Sequence, residues 1–230
     1  MAQDPVLLIT GASSGIGAAT ARRAAEAGWR LALAARSDDK LRALAEELGG
    51  EERAVVVRCD VQDFDEQQAA VAAAVDAFGR LDASLANAGF GAKRGFLEEE
   101  VDLWREMILT NVYGVALSIR AALPHFLDRG RGHMLLMGSV AGRRALPGSL
   151  YSATKWAVTA MGEGLRQEVA ETDIKVTVIE PGQVDTPFFD EPKPDALKAD
   201  DIARAVMYAL SQPPHVDVNE VLVRPIRQAL

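Results

Sequence analysis

Residues 6–17, VLLITGASSGIG, decide the fold of this chain. The first five are apolar or β-branched and predict a short strand that is buried on both faces. Gly11, Gly15 and Gly17 follow at the point where an amphipathic helix is predicted to begin. Glycine permits unusual dihedrals and close approach of backbone amides to an anion, and a helix N-terminus adds free N–H groups. A plain tight turn would also use glycine, but the strand before and the helix after favour a phosphate-binding turn.

The rest of the chain repeats this alternation of short apolar runs and longer amphipathic segments. The predicted strands are 6–10, 31–35, 54–59, 83–87, 133–137, 175–180 and 218–223. The predicted helices are 16–27, 38–48, 63–78, 98–123, 150–171 and 200–211. Strands without a polar face are expected where helices cover both sides of a parallel sheet. We therefore predict one α/β domain over residues 1–230, a doubly wound, seven-stranded parallel sheet of the Rossmann type.

The composition is that of an ordinary soluble globular domain, with 230 residues, 49% hydrophobic and 25% charged, and a net charge of −8. The single cysteine, Cys59, cannot close an internal disulfide, and three scattered histidines do not complete a usual zinc site with it. The acidic balance argues against nucleic-acid and anionic-membrane binding. The first residues, with Asp4 and Pro5, predict neither a signal peptide nor a membrane span, so we expect a cytoplasmic protein.

The end of the second predicted strand indicates which dinucleotide binds. Folds that prefer NAD usually end this strand with an acidic residue, whose carboxylate binds the ribose hydroxyls and repels a 2′-phosphate. Ala35 stands there instead, followed by Arg36. An arginine can pair with the 2′-phosphate, so we predict NADP(H) as the cofactor. Two alternatives stay open: Arg36 could be a solvated arginine, and Asp38 or Asp39 could reach the ribose, although both are predicted in the first turn of the next helix.

Further short motifs follow along the chain as far as the end of the sixth predicted strand. In chain order they are the glycine stretch 10–17, Asn87-Ala88-Gly89, Asn111, Ser139, Tyr151-x-x-x-Lys155 and Pro181-Gly182. With these motifs the chain resembles the short-chain dehydrogenase/reductase family over residues 6–224. The resemblance implies an oxidoreductase that moves a hydride between a nicotinamide cofactor and a carbonyl or secondary alcohol. A non-catalytic sensor or scaffold could keep the same fold, but it would have no physical need for the catalytic set.

Three of these residues are predicted to act on one substrate oxygen. Tyr151 and Lys155 are four apart in a predicted helix, so their side chains share a face. A neighbouring ammonium and an oxidised nicotinamide favour the phenolate, which makes Tyr151 the proton donor in carbonyl reduction and the base in alcohol oxidation. Ser139, at the end of the fifth predicted strand, is expected to bind the same oxygen. The alternative is that the tyrosine and the lysine lie on the helix without a catalytic role.

The resemblance assigns roles to other residues around this set. It implies that Asn111 holds a water that connects Lys155 to solvent, whereas a satisfied core asparagine is the alternative. It implies that Asp60 binds the adenine, whereas a helix cap is the alternative. The residues assigned to the cofactor are Gly11, Ser13, Ser14, Gly15, Ile16, Gly17, Arg36, Asp60, Val61, Asn87, Ala88, Gly89, Tyr151, Lys155, Pro181, Gly182, Val184 and Thr186. For Asn87, a structural role is equally expected.

The chain departs from the family pattern beside the substrate. Ser139 and Tyr151 are twelve residues apart, one fewer than the commonest family spacing, so the loop 143–148 is expected to be short. The segment 187–198 is also short, which predicts a more open pocket. Aromatic and aliphatic residues in these loops suggest a partly apolar pocket: Phe90, Leu146, Phe188 and Phe189.

Two further expectations concern charge and assembly. Arg143 and Arg144 could meet an acidic substrate, but an arginine pair in a loop is more often solvated. The resemblance also implies a homo-oligomer, a tetramer or a dimer, packed through the helices that hold Asn111 and Tyr151.

Overall fold

The computed structural model describes residues 4–188, 191 and 193–228. Seven strands form one sheet in the order β3-β2-β1-β4-β5-β6-β9, and every neighbouring pair is parallel. The strands are β1 Val6–Thr10, β2 Arg30–Ala35, β3 Ala54–Arg58, β4 Ala83–Ala86, β5 Arg131–Met137, β6 Asp173–Pro181 and β9 Glu220–Val223. A separate pair is formed by β7 Val184–Asp185 and β8 Leu197–Lys198. The predicted doubly wound α/β sheet is confirmed.

Helices cover both faces of the sheet. They are α1 Gly15–Glu26, α2 Asp38–Glu47, α3 Phe64–Phe78, α4 Val101–Ile108, α5 Gly114–Arg129, α6 Leu150–Glu168 and α7 Ala199–Leu210. Helices α1, α2 and α7 pack on one face together with Leu7 and Ile9. Helices α3, α5 and α6 pack on the other face together with Val6 and Leu8. Alternate side chains of β1 therefore enter two different cores, which explains why no residue of this strand is polar before Thr10.

The strand order reverses at β1, which has β2 on one side and β4 on the other. A reversal of this kind opens a crevice at the carboxyl ends of the strands, because the connections leave in opposite directions. The glycine turn that follows Thr10 lies at this point, as do the ends of β4, β5 and β6. The topology thus gathers the separate sequence motifs at one edge of the sheet.

The helix predicted over residues 98–123 differs most from its prediction. It is divided into α4, a π-helical turn Leu109–Tyr113 and α5, which continues past Pro124 to Arg129. The predicted stop before Pro124 is wrong. Proline removes one backbone hydrogen bond, but the following turn buries the Phe126 ring completely against the core, which offsets that loss.

The same helical run is apolar and long enough, by length and composition, to cross a membrane. Its buried residues belong to the core beneath the sheet, where α5 packs against α3 and β5. The run is therefore a core helix of this fold. The other predicted elements are confirmed within three residues at each end.

The segment after β7 is a loop over the part of it that the structure describes. Its two ends are held together by β7 and β8 and by a hydrogen bond from the Leu197 amide to the Gln183 carbonyl, 3.0 Å. One residue named from the sequence in this loop, Phe189, lies outside the described residues.

Candidate active site

A cleft of about 590 Å³ lies at the carboxyl edge of the sheet. Most residues predicted to act in catalysis or cofactor binding line it: Gly11, Ser13, Ser14, Gly15, Ile16, Arg36, Asp60, Val61, Asn87, Ala88, Gly89, Ser139, Tyr151, Lys155, Pro181, Gly182, Val184 and Thr186. Gly17 and Asn111 do not line it. Both are buried behind the wall, where they shape residues that do.

The glycine turn is built too tightly for side chains. Gly11 and Gly15 have φ of 66° and 54°, in the left-handed region that favours glycine. A Cβ on Gly17 would overlap the Gly11 carbonyl and lie 2.8 Å from Asn87 Nδ2. Asn87 Nδ2 in turn donates to the carbonyls of Thr10 and Gly11, at 3.0 and 3.3 Å. The structural role expected for Asn87 is thus observed, since its side-chain amide binds two carbonyls of the glycine turn.

The residues after β2 form the far end of the cleft. Arg36 is exposed and lines the cleft directly after Ala35. Asp38 lies in the first turn of α2, as expected, and its carboxylate accepts from Arg42 Nε at 2.6 Å. The Asp38 carboxylate is therefore engaged within its own helix, which weakens the alternative that it binds a ribose.

Asp60 follows β3 and lines the same end of the cleft. Its carboxylate accepts from the Gln62 amide at 3.0 Å and so shapes the turn before α3. The alternative that Asp60 caps the helix is wrong. The cap of α3 is Asp63, whose side chain accepts from the Glu66 amide at 3.1 Å.

Tyr151 and Lys155 face the centre of the cleft from the first turns of α6. The helix begins after Ser149, whose hydroxyl accepts from the Ser152 amide. Lys155 is 5% exposed and its Nζ donates to the carbonyl of Met137 at 2.7 Å, which places it 5.7 Å from the centroid of the Tyr151 ring. The carboxyl end of β5 thus holds the ammonium beside the phenol.

Burial sets the protonation of this pair. It raises the pKa of Tyr151 to about 12, although a hydrogen bond with Ser139 acts in the opposite direction. It lowers the pKa of Lys155 to about 8. In the protein alone, loss of solvation is the main influence on the phenol and disfavours the phenolate. The expectation that the ammonium and an oxidised nicotinamide together favour the phenolate stays a prediction. At neutral pH the phenol is protonated.

Ser139 lies between β5 and the short 3₁₀ turn Val140–Gly142. Its hydroxyl accepts from the Ala141 amide at 3.1 Å and donates to the Pro181 carbonyl at 3.4 Å. Ser139 and Tyr151 both line the cleft, and Ser139 is close enough to lower the pKa of the Tyr151 phenol, so the two hydroxyls lie in the same part of the cleft. Sequence spacing suggested this convergence, and the geometry agrees with it.

Asn111 is completely buried in the π-helical turn. Its Oδ1 accepts from the Phe90 amide at 3.0 Å, and its Nδ2 donates to the Phe90 carbonyl at 2.8 Å and to Thr154 Oγ1 at 3.2 Å. A Cβ on Gly89 would meet Asn111 Oδ1 at 3.0 Å and Lys155 Nζ at 3.7 Å, so a side chain at this position would press on the Asn111 amide. The alternative of a satisfied core asparagine describes these contacts, and the proton relay stays a prediction.

The turn after β6 closes the other side of the cleft. The Gly182 amide donates to the Val223 carbonyl at 2.7 Å, and the Gln183 amide donates to Gln228 Oε1 at 2.8 Å. The side chain of Thr186 lies 3.5 Å from where a Cβ on Gly15 would stand. Gln228 lines the cleft and was not predicted, because no local signal links the end of the chain to this turn.

Comparison with known proteins agrees with this geometry. The family model described as short chain dehydrogenase matches residues 5–196. The chain belongs to the short-chain dehydrogenase family.

A relative in Staphylococcus haemolyticus, named an uncharacterised oxidoreductase, is 42% identical and covers 96% of this chain and 97% of its own. Two solved structures illustrate the likeness. An alcohol dehydrogenase from the archaeon Thermococcus sibiricus, complexed with 5-hydroxy-NADP, has a TM-score of 0.90 and 33% identity over 98% of each chain. A 3-ketoacyl-(acyl-carrier-protein) reductase from Brucella melitensis, complexed with NADH, has a TM-score of 0.87 and 30% identity, and covers 96% of this chain and 97% of its own.

Among the described residues, three loops form the end of the cleft beside Tyr151. The Phe188 ring packs edge-on against the Tyr151 ring, with centroids 5.6 Å apart, and a Cβ on Gly91 would stand 2.8 Å from Phe188 Cζ. The Gly95 amide donates to the Gly148 carbonyl at 2.9 Å and joins two of the loops. The walls here are Phe90, Gly91, Ala92, Arg94, Leu146, Ser149 and Phe188. Arg94 was not singled out from the sequence, since an arginine in a loop carries no distinctive signal.

The two arginines of the 143–148 loop have different environments. Arg143 is not a solvated side chain, because its Nε donates to Glu180 Oε1 at 2.6 Å and it also forms an ion pair with Glu220. Arg144 is exposed, as expected. The solvated interpretation was wrong for Arg143 because the carboxylate that binds it comes from a strand 37 residues away in sequence.

Proposed function

We propose that the chain is an NADP(H)-dependent oxidoreductase that exchanges a hydride with the carbonyl or secondary alcohol of a small molecule. The observation that carries the proposal is that Ser139, Tyr151 and Lys155 meet in the cleft that the glycine turn also lines. A phosphate-binding turn and a proton donor at opposite walls of one cleft are what such a reaction requires.

The chain's own share of the reaction is orientation and proton transfer. NADPH, when bound, supplies the hydride. The Tyr151 hydroxyl donates its proton to the substrate oxygen, and Ser139 donates a hydrogen bond to that oxygen as negative charge develops. The Lys155 ammonium, held by the Met137 carbonyl, stabilises the phenolate that results. At neutral pH the Tyr151 phenol carries the proton that reduction requires.

The preference for NADP(H) over NAD(H) rests on Arg36. Its position after Ala35, exposed and in the wall of the cleft, suits a 2′-phosphate. The two similar structures named above were solved with a derivative of NADP and with NADH. Titration of the protein with NADPH and NADH in parallel tests this choice, and tighter binding of NADH would overturn it.

The substrate end supports a carbonyl compound with an apolar portion. The rings of Phe90 and Phe188 and the side chain of Leu146 supply apolar walls beside Tyr151. Arg94 adds one exposed cation at the same end, so oxo acids belong in the substrate panel beside neutral ketones and aldehydes.

We also propose that the enzyme is a cytoplasmic homo-oligomer, a dimer or a tetramer. The helices that hold Asn111 and Tyr151 expose several large apolar side chains, among them Val101, Ile108, Tyr113 and Trp156. Apolar side chains grouped on adjacent helices favour association with a second copy.

Substitution of the tyrosine tests the function directly. Tyr151→Phe removes the proton donor and leaves the ring, so reduction of every active carbonyl substrate is expected to fall at least about 100-fold while NADPH binding changes little. Absorbance at the NADPH band measures the first, and fluorescence titration the second. The second candidate function, a cofactor sensor or scaffold, would instead give a wild-type protein that binds the dinucleotide and turns over no substrate in the panel.

A further inference from the structure

A network of polar side chains lies behind Ser139 and takes no direct part in the reaction described above. Its centre is Glu180, a residue of β6 whose side chain is 1% exposed although it carries a carboxylate. Arg143 Nε donates to Glu180 Oε1 at 2.6 Å, and Glu220 on β9 binds the same guanidinium from the solvent side. Burial of a carboxylate costs desolvation free energy that one paired cation offsets only in part. The position of Glu180 behind the cleft therefore suggests that it has a role there.

The pair joins the two segments that orient the Ser139 hydroxyl. Arg143 directly follows the 3₁₀ turn whose Ala141 amide donates to Ser139 Oγ. Glu180 directly precedes Pro181, whose carbonyl accepts from Ser139 Oγ. The ion pair therefore links the two segments whose backbone binds the Ser139 hydroxyl. Arg143 is two residues from Ala141 in sequence, and Glu180 is one residue from Pro181.

The same network reaches the helix that carries the other catalytic side chains. Thr159 Oγ1 lies 3.4 Å from Glu180 Oε1, 3.2 Å from the Lys155 carbonyl and 3.4 Å from the Gly142 carbonyl. One hydroxyl proton can serve only one of these oxygens at a time. A Cβ on Gly142 would lie 2.6 Å from the Lys155 carbonyl, so the 3₁₀ turn packs directly on α6. Glu180 thus meets the turn, the strand end and the catalytic helix at one point.

We propose that Arg143 and Glu180 form a positioning pair that holds the Ser139 hydroxyl in front of Tyr151 during proton transfer. The inference rests on the proposed function, since it concerns the geometry of that reaction. Neither side chain lines the cleft, so we expect their effect to pass through Ser139. A displacement of a reacting group by about 1 Å is enough to lower a rate up to about 100-fold, so fixing this turn matters to the rate.

The single substitutions test the effect on turnover. Glu180→Gln keeps the shape and a hydrogen bond but removes the charge, and Arg143→Met removes the cation. Each is expected to lower kcat about ten-fold or more, with the NADPH dissociation constant within about two-fold of wild type. Arg143→Lys restores a cation and is expected to recover part of kcat. Arg166→Met removes an exposed ion pair with Glu163 on the same helix and serves as the matched control with unchanged kcat.

A double-mutant cycle with Ser139→Ala separates positioning from general damage. If the pair acts through Ser139, then Arg143→Met has little further effect on the residual kcat of the Ser139→Ala enzyme. If the two losses multiply, or if Glu180→Gln has the kcat of wild type, the positioning role is wrong. Urea unfolding of each variant shows whether the measured enzyme is folded. Wild type that reduces no carbonyl overturns the proposed function and the positioning role with it, whereas an active wild type with unaffected variants overturns the positioning role alone.

Discussion

The two ends of the cleft are built in different ways. The proposed cofactor end is made of backbone: a Cβ on Gly11 or Gly17 would overlap its neighbours, Gly15 has a positive φ, and the Asn87 amide bonds two of the turn's carbonyls. The substrate end is made of side chains on loops, of which Phe188 is 41% exposed. Sterics therefore fix the residues of the first end, whereas the second can change its residues without disturbing the sheet. The comparison predicts large effects of small changes at the first end and small effects of large changes at the second.

Gly17→Ala is expected to have the largest effect. The added methyl group would overlap the Gly11 carbonyl and press on Asn87 Nδ2, so the turn must move away from the phosphates it is built to hold. Overpacking of this kind predicts about 100-fold weaker binding of NADPH, measured by fluorescence titration. Gly164→Ala, in an exposed helical position with nothing within 4 Å of the new atom, is the control and keeps wild-type affinity. Normal binding by Gly17→Ala would remove the steric basis of the comparison.

Lys155 lies between the two ends of the cleft, and Lys155→Met tests how its burial affects the free energy of unfolding. Burial lowers the pKa of Lys155 from 10.5 to about 8, a difference that corresponds to about 3 kcal/mol. The penalty of the buried ammonium is present in full below about pH 8, and it fades as pH rises toward 10.5 because the unfolded chain then loses the same proton. The variant is expected to be inactive but more stable at pH 7 by roughly 1–3 kcal/mol, the lower bound reflecting the lost bond to Met137.

Urea unfolding at pH 7 and pH 10 measures this effect. The gain in the free energy of unfolding is expected to be smaller at pH 10 than at pH 7. Lys40→Met, an exposed position on α2, is the control with little change at either pH. A gain that grows with pH would contradict the assigned direction of the pKa shift.

Arg36→Leu tests the one part of the cofactor end where a side chain, and not the backbone, is proposed to distinguish NADPH from NADH. Removal of a charge-assisted contact predicts about ten-fold weaker binding of NADPH and unchanged binding of NADH. Arg42→Leu is the matched control, since Arg42 is a nearby exposed arginine that is engaged by Asp38. Equal losses for both dinucleotides would show that Arg36 does not distinguish them.

Phe188→Ala is expected to have the smallest effect. The ring contributes one edge-on contact to Tyr151 and is partly exposed, so its loss predicts a change of about three-fold in KM for an apolar ketone and little change in NADPH affinity. Phe96→Ala removes another exposed phenylalanine, one that packs on Trp104 and does not line the cleft, and is expected to leave KM unaltered. A large loss of NADPH affinity in Phe188→Ala would show that the two ends are coupled.

The sequence predicted those parts of the site that local chemistry determines. The glycine spacing of residues 11–17, the four-residue step from Tyr151 to Lys155 and the apolar strands each follow from the geometry of one element, so the pattern is written in neighbouring residues. The order in which the strands pair was not predicted, because a local pattern does not show which strands become neighbours in the sheet. The helix end beyond Pro124 was missed because only the burial of Phe126 against the core decides it.

The tertiary structure decided what depends on distant partners. The single charge on Arg143 gives no local sign that Glu180 binds it, and Gln228 approaches Gln183 across 45 residues. The direction in which the pKa of Tyr151 shifts in the protein alone was not predicted, because it depends on how much solvent the surrounding elements remove. Spacing along the chain determines which groups can share a face of one element. Which charges meet, and how far each is separated from water, is settled only when the elements pack together.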